Sequence, residues 1–291
     1  NQLQLFLTKM FDTHCHLNFQ IFNERVDEVI KTAKAVGVDK IIIPGTDLPT
    51  SKKAVRIAEK YEGVYAAVGI HPHHVFEVYL KVRHHVFRPP HPKGTQAIVS
   101  KQVSSLSSIL KNPKVVAIGE VGIDRHYYQK TKHENYQVNQ ELIDLQKKFF
   151  IEQIKLANRY RKALIIHNRE AKKDVLEILT TNYQLLTTHF SVFHCCGPDE
   201  ELLDFAKKNN IFIGVDGDIT YRKDKQKFIK KVPLEMLVLE TDSPYLSPFK
   251  KFPNEPKNIK VTAELVAKLK NISLKEVAEK TTENARKLFF I

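Results

Sequence analysis

This sequence lacks several features that would place it in other classes of protein. It has no run of about 18 apolar residues, so we predict no membrane-spanning helix. It has only three cysteines, two of them adjacent, and this odd number does not make a disulfide framework. We expect Cys15, Cys195 and Cys196 to be buried thiols that need no oxidising compartment. Because all three neighbour candidate metal ligands, zinc thiolate ligation is the alternative.

Motifs of nucleotide binding and covalent catalysis are missing as well. No serine or cysteine lies in a nucleophile elbow, and no P-loop occurs. No glycine-rich loop follows the first predicted strand, as a doubly wound nucleotide-binding sheet would normally require. These absences favour hydrolysis by metal-activated water.

Acidic residues are scarce relative to basic ones. The 291 residues include 46 Lys and Arg against 33 Asp and Glu, a formal charge of +13. The excess favours an acidic partner such as nucleic acid, a phosphorylated substrate or an anionic membrane surface, and a generic basic surface is the alternative. Residues 222–231 carry six basic side chains against one acid, and they would follow a DNA backbone or form an ordinary solvated helix face.

The region that follows the third predicted strand contains no acid at all. Residues 78–119 carry seven Lys and Arg without one Asp or Glu. Because the region is longer than an ordinary strand-to-helix connection, we predict a basic insertion over 78–114. It would touch phosphates at the rim of the site or else form a solvated loop.

Short apolar segments alternate with helical patterns along the chain. The predicted strands are 10–14, 40–44, 64–70, 115–121, 163–167, 190–194, 211–215 and 237–240. Helical apolar spacing predicts helices over 26–36, 142–158, 172–180, 200–209 and 223–232. Two or three more helices should pack outside at the C-terminal end, where Ser273 would cap one and Thr281 or Thr282 the last. Alternating units of this kind predict an α/β fold, a (β/α)8 TIM barrel with C-terminal helices, as one domain over 1–291.

Six side chains of metal-binding type lie at the ends of predicted strands. They are His14, His16, Glu120, His167, His194 and Asp242. Because catalytic groups of this architecture collect at the carboxyl ends of the strands, we expect them to form one metal site. Any one of these histidines alone would more often be a core residue with its hydrogen bonds satisfied. Glu120 lies in an apolar segment, where burial is costly unless the carboxylate is paired with a Lys or Arg or bound to metal.

Two of these residues have an expected part in catalysis. Asp242 ends the last strand, where it would ligate a metal and take the proton from an attacking water, and Glu120 would bridge two cations. We expect substrate contacts from His71, His73 and Arg169. The alternatives are a plain polar rim for the two histidines and a surface ion pair for Arg169.

Short strings around these residues occur in a characteristic order from the first strand to the last helix. They are DTHCHL (12–17), GIHPH (69–73), GEVGID (119–124), HNR (167–169), FHCC (193–196), ETDSPYL (240–246), NEP (254–256) and TxxNA (281–285). In these strings the sequence resembles the TatD family of metal-dependent deoxyribonucleases, within the amidohydrolase-like TIM barrels. The resemblance implies a phosphodiesterase that hydrolyses DNA, typically as a 3′–5′ exonuclease. Two divalent ions, Mg²⁺ or Mn²⁺ with Zn²⁺ as the alternative, would be held by the six residues above, with Asp242 as general base.

Three residues depart from the family pattern. Cys196 stands where relatives usually carry an aromatic residue, and Asp216 and Asp218 replace small residues after the seventh strand. An extra acid near the metals would change the metal preference or repel a phosphate.

Two other functions stay open at this point. An amidohydrolase acting on C–N bonds or small phosphoesters would use the same barrel, although many such enzymes carry a carboxylated lysine where Glu120 stands. A non-catalytic nucleic-acid-binding protein is the third candidate, and the loss of a ligand residue would have favoured it. For a DNase we expect a monomer that binds DNA, in the cytoplasm or nucleus by default. Because the chain begins at Asn1 rather than Met, a removed leader is compatible with it.

Overall fold

Eight parallel strands, each paired with the next one along the chain, form the centre of the molecule. The structure, a computed structural model, describes residues 8–84, 92–128, 138–182 and 190–291. The strands are β1 (Met10–Asp12), β2 (Val38–Pro44), β3 (Val64–Val68), β4 (Val115–Asp124), β5 (Ala163–Arg169), β6 (Ser191–Phe193), β7 (Ile211–Val215) and β8 (Leu237–Leu239). Each predicted strand is therefore present, with bounds that differ by a few residues at most.

The sheet closes into a barrel where β8 meets β1. The backbone N–H of Thr13 donates to the carbonyl oxygen of Leu239 at 3.0 Å, and the N–H of Asp242 donates to the carbonyl oxygen of His14 at 2.9 Å. The buried Asp12 carboxylate reinforces this seam. It accepts from the Thr241 backbone N–H at 3.0 Å and from the Thr241 hydroxyl at 2.6 Å. Burial raises the pKa of Asp12 to about 8. The TIM barrel is confirmed.

Helices on the outside of the barrel follow the strands. They are α1 (Val26–Ala35), α2 (Leu48–Lys60), α3 (Pro72–His84), α4 (Pro92–Ser104), α5 (Gln140–Tyr160), α6 (Lys172–Thr181), α7 (Glu200–Asn209), α8 (Lys223–Lys231), α9 (Ile259–Lys270) and α10 (Leu274–Phe289). Strand side chains alternate between this outer layer and the barrel interior. In β2, Ile42 belongs to the interior cluster, whereas Ile41 and Ile43 pack outward against the helices.

Helix α10 covers the amino-terminal end of the barrel. Its side chains Ala285, Leu288 and Phe289 belong to the same buried cluster as the interior residues of the strands. The ring of Phe289 lies 6.0 Å from that of Phe11 in β1. The end of the barrel opposite to this helix is therefore the one available for a site, as the strand-end residues require.

Several local expectations are corrected by the structure. Thr281 and Thr282 lie inside α10 rather than at its start, and the Thr281 hydroxyl donates to the carbonyl oxygen of Val277 at 2.8 Å. Ser273 does cap this helix, since its hydroxyl accepts from the backbone N–H of Glu276 at 3.1 Å. Helices α2, α3 and α4 were not predicted.

The basic segment 78–114 is largely helical where the structure describes it. It contains the end of α3, all of α4 and a 3-10 helix (Ser105–Ser108), while residues 85–91 lie outside the described part. Val99, Val103, Leu106 and Leu110 are buried, so this part is packed on the barrel and is not a solvated loop. Its assignment as an insertion stays a prediction. Within the described residues, no helix is both long and apolar enough to cross a bilayer.

We predict that Gly122→Ala lowers the free energy of unfolding by about 2 kcal/mol or more. Gly122 has φ +148°, and an added Cβ would lie 1.9 Å from the carbonyl oxygen of His167, its partner across the β4–β5 pair. The control is Gly94→Ala in α4, where an added Cβ meets no atom of the described residues within 4 Å. The control should be neutral or stabilising by up to about 1 kcal/mol. Equal denaturant midpoints for the two variants would contradict this account of β4.

Candidate metal centre

The six metal-type side chains predicted from the sequence meet at the carboxyl end of the barrel. Glu120 and His167 lie within β4 and β5, and the other four follow β1, β6 and β8 directly or within a few residues. Three of them, His14, His16 and Glu120, are almost completely buried although each is polar. Buried polar groups of this kind need partners; the Nε2 atoms of the two histidines and the Glu120 carboxylate face one another, whereas Nδ1 of His14 and of His16 has no hydrogen-bond partner among the described residues.

The first group of donor atoms surrounds one point. His14 Nε2 and His16 Nε2 lie 3.1 Å apart. Glu120 Oε2 lies 3.4 and 3.8 Å from these nitrogens, and Asp242 Oδ1 lies 3.7 and 3.5 Å from them. Ligands about 2.1 Å from a tetrahedral cation lie about 3.4 Å from each other. The five distances above are close to this spacing, and the donor atoms of His14, His16 and Glu120 all lie within 4.8 Å of one another.

The second oxygen of the Glu120 carboxylate faces a second set of imidazoles. Glu120 Oε1 lies 2.6 Å from His167 Nδ1, 3.5 Å from His71 Nε2 and 3.8 Å from His194 Nε2. Glu120 therefore stands between two groups of nitrogen donors, as a carboxylate that bridges two cations would. His71, expected from the sequence at the rim, lies inside this second group.

The charges of the site suit a cation. Burial by itself would raise the pKa of Glu120, but the imidazoles of His71, His194 and His167 hold that pKa well below its usual range. Burial, helped by His194, lowers the pKa of His14 to about 4, so this imidazole is neutral, which is the form that binds metal. An ionised carboxylate beside a neutral imidazole is a donor pair typical of divalent metal sites.

Carboxylates behind the cluster orient two of the imidazoles. His194 Nδ1 lies 3.0 Å from Glu240 Oε2, and Glu240 is buried. His167 Nε2 lies 3.1 Å from Asp124 Oδ2. Burial opposes protonation, yet the surrounding carboxylates raise the pKa of His167 to about 9 and that of His194 to about 10. These positions therefore favour positive charge, and such carboxylate partners commonly orient metal-bound imidazoles.

Asp124 was not among the residues singled out from the sequence. Its carboxylate contacts His167 and accepts from the hydroxyl of Tyr128 at 2.7 Å. Arg169, exposed at the rim, in turn donates to that hydroxyl at 3.1 Å and lies over the Tyr128 ring, 5.1 Å from its centroid. The Asp that ends the GEVGID string was the available signal, because it closes the same strand as Glu120.

The remaining expected rim residue, His73, lies beside these groups. Its backbone N–H donates to His71 Nδ1 at 3.0 Å, and its ring centroid lies 5.3 Å from that of Tyr128. The substrate contacts of His71, His73 and Arg169 stay predictions.

The three cysteines are free thiols. Cys15 and Cys196 are buried as expected, and burial raises the pKa of Cys196 to about 12. Cys195 is half-buried, and its sulfur lies within 4.8 Å of donor atoms of His194 and Asp242. The alternative of thiolate ligation therefore stays open for Cys195.

The two aspartates that depart from the family pattern are paired with a buried lysine. Lys225 in α8 is almost completely buried, and its ammonium contacts Asp216 and lies 2.7 Å from Asp218 Oδ1. That these acids repel a phosphate or change the metal preference stays a prediction. Lys225 is also unable to contact a DNA backbone, so the basic stretch 222–231 exposes a smaller set of lysines than its sequence suggested. These are Lys223, Lys227, Lys230 and Lys231.

Comparisons with known proteins agree with this geometry. The family model described as TatD related DNase matches residues 11–290. An uncharacterized metal-dependent hydrolase, YabD of Bacillus subtilis, is 33% identical over 97% of this chain and 99% of its own length. The human deoxyribonuclease TATDN3 is 30% identical over 96% of this chain and 94% of its own length. The crystal structure of the Escherichia coli TatD homologue YjjV superposes with a TM-score of 0.77 at 26% identity, covering 98% of this chain and 99% of that one.

We predict that Lys225→Met lowers the free energy of unfolding by about 3–5 kcal/mol, because Asp216 would be left buried without a counter-charge and Asp218 would keep only Arg222, 3.5 Å away. Chemical denaturation measures the loss. Lys223→Met, on the exposed face of the same helix, is the matched control and should change stability little. Adding Asp216→Asn and Asp218→Asn to Lys225→Met should recover most of the loss, and failure to recover would show that charge is not its cause.

Proposed function

This chain belongs to the TatD-related DNase family of metal-dependent hydrolases, and we propose on that premise that it hydrolyses the phosphodiester bonds of DNA as a 3′–5′ exonuclease. The relative TATDN3 carries the name of a deoxyribonuclease. The observation that carries the proposal is the position of Glu120, whose two carboxylate oxygens face two separate sets of imidazole nitrogens. Two cations about 3.5–4 Å apart are the arrangement that hydrolases use on phosphodiesters.

The two metal positions divide the donor residues between them. His14, His16 and Asp242 would hold one ion with Glu120 Oε2, and His167 and His194 would hold the other with Glu120 Oε1. Mg²⁺ or Mn²⁺ is the proposed metal, and the imidazole-rich donor set keeps Zn²⁺ as the alternative. Bound there, such ions activate a water molecule and neutralise charge on the phosphate.

Asp242 is the proposed general base. Its Oδ1 lies 3.5–3.7 Å from Nε2 of His14, His16 and His194, and its side chain is 15% exposed, so a water can reach it. The hydrogen bond from its N–H to the carbonyl oxygen of His14 fixes its backbone. Asp242 would accept the proton of the attacking water as the new P–O bond forms and the bond to the leaving 3′ oxygen breaks.

The surface charge favours a nucleic acid over a small neutral substrate. The chain has a formal charge of +13, and Lys223, Lys227, Lys230 and Lys231 are exposed on or beside α8. Cationic side chains of this kind neutralise phosphates and give an affinity that falls with salt. An amidohydrolase of C–N bonds would have no use for this excess, and DNA is therefore the preferred substrate.

We predict that Asp242→Asn keeps the fold but lowers the rate of hydrolysis at least about 100-fold, because the base and one ligand oxygen are lost together. The measurement is release of nucleotide from an end-labelled oligonucleotide in saturating Mn²⁺. Asp204→Asn, which alters an exposed carboxylate of α7 in the same way, should retain full activity. An Asp242→Asn variant as fast as the parent would remove this residue from the mechanism.

We also predict that Mn²⁺ added to protein treated with EDTA raises the melting temperature by about 5 °C or more at about 100 times its dissociation constant. The double variant His14→Ala/His16→Ala should lose at least half of this shift, because it lacks two of the four donors of one group. His126→Ala, which removes a histidine outside both groups, is the control.

EDTA should abolish hydrolysis while leaving salt-sensitive DNA binding largely intact, and hydrolysis that survives EDTA would contradict the metal mechanism.

A further inference from the structure

Three large aromatic side chains are exposed in residues 245–252, shortly after Asp242. Tyr245 is 50% exposed, Phe249 55% and Phe252 65%. Leaving such side chains in water forgoes the free energy that burial would provide. A contiguous group of exposed apolar side chains usually marks a binding surface.

The segment that carries these side chains is held in place. Asn254 is fully buried, and its side-chain amide donates to the carbonyl oxygen of Thr241 at 3.0 Å. Its backbone N–H donates to the carbonyl oxygen of Pro244 at 2.8 Å. The backbone N–H of Tyr245 donates to the carbonyl oxygen of Asp242 at 2.8 Å. The exposure therefore belongs to a tethered loop whose geometry is set by the same turn as Asp242.

The rings form a continuous row that begins at the metal centre. Phe19 stacks on the imidazole of His16, with ring centroids 4.2 Å apart and planes 15° from parallel. Tyr245 meets Phe19 edge to face at 6.3 Å, and Phe252 follows Tyr245 at 6.2 Å. We call Phe19, Tyr245 and Phe252 the aromatic row. It runs outward from a candidate metal ligand to the surface.

The charge beside the row is positive. Residues 243–254 contain no Asp or Glu, and Lys250 and Lys251 are exposed between Phe249 and Phe252. The Lys250 ammonium lies 4.6 Å from the centroid of the Tyr221 ring. Aromatic faces interleaved with cationic side chains are the combination with which proteins bind single-stranded nucleic acid.

We propose that the aromatic row stacks against unpaired bases of the nucleotides next to the scissile phosphate. This inference rests on the proposed hydrolysis of DNA and adds that the end of the substrate must present unpaired bases. The bases of a duplex are already stacked and paired, so their faces are not available to the row. The row therefore selects single-stranded ends, and it does so without regard to sequence because every base has an aromatic face.

The experiment compares two labelled single strands of about 12 nucleotides, one with bases and one abasic at every position, so that both carry the same phosphates. Binding is measured by fluorescence anisotropy at fixed salt, in the Asp242→Asn background that slows hydrolysis. The double variant Tyr245→Ala/Phe252→Ala should bind the strand with bases about tenfold or more weakly and the abasic strand within about twofold of the parent. Tyr245→Phe, which keeps the ring, should retain the parent affinity.

Phe290→Ala is the matched control. Phe290 is 58% exposed but packs on Phe190, just before the start of β6 and so at the end of the barrel opposite to the site. Its removal should leave both affinities unchanged.

The proposal is overturned if the double variant binds the base-containing strand as tightly as the parent, or loses affinity equally for the abasic strand. It is also overturned if the double substitution converts a dimeric parent into monomers in sedimentation without altering DNA affinity, because the row would then join two copies of the chain.

A failure of the proposed function gives a different result. Wild-type protein in Mn²⁺ that leaves the base-containing strand intact contradicts the DNase proposal. If the wild-type protein cleaves this strand but the affinity for DNA does not depend on the aromatic row, only the proposed stacking is contradicted.

Discussion

The closure of the barrel between β8 and β1 is the constraint on which the site depends. Asp242 and His14 come from opposite ends of the chain, and one backbone hydrogen bond joins them directly. Asp12, buried below, accepts from both backbone and hydroxyl of Thr241 and so fixes the two strands in the same register. Without this seam the donor atoms of His14, His16 and Asp242 would not share one centre, and no local property of either segment could supply that arrangement.

The free-energy cost of burying many polar groups at this site is partly offset by pairs of opposite charge. Glu120 lies among imidazoles, His194 is backed by Glu240, and His167 is backed by Asp124. The buried Lys225 plays the same part for the two aspartates after β7. In each case an ionisable group that would be unfavourable alone is stabilised by an opposite charge at contact distance, which is the general condition for burying charge.

The strands and the six metal-type residues could be predicted because their signals are local. A short apolar run that ends in His, Glu or Asp is visible in sequence, and the parallel architecture then brings the ends together. The partners of these residues could not be predicted in the same way. Nothing near Lys225 in sequence indicates that it points inward to Asp216, and nothing in HPHH indicates that His71 joins Glu120, because both contacts depend on how separate strands pack. Helices α2 and α3 were missed because Pro and His near their starts obscure the apolar spacing, although a proline is compatible with the first turn of a helix.

Helix α10 closes one end of the barrel, and this limits where a substrate can enter and a product can leave. Phe289 and its neighbours fill the amino-terminal opening, and the interior is packed with side chains, so no polymer can thread along the barrel axis. The proposed DNA strand would therefore enter and leave at the carboxyl end of the barrel. In the proposed exonuclease, each cleaved nucleotide would have to leave through this opening before the shortened strand could advance, so that product release and substrate movement would compete there.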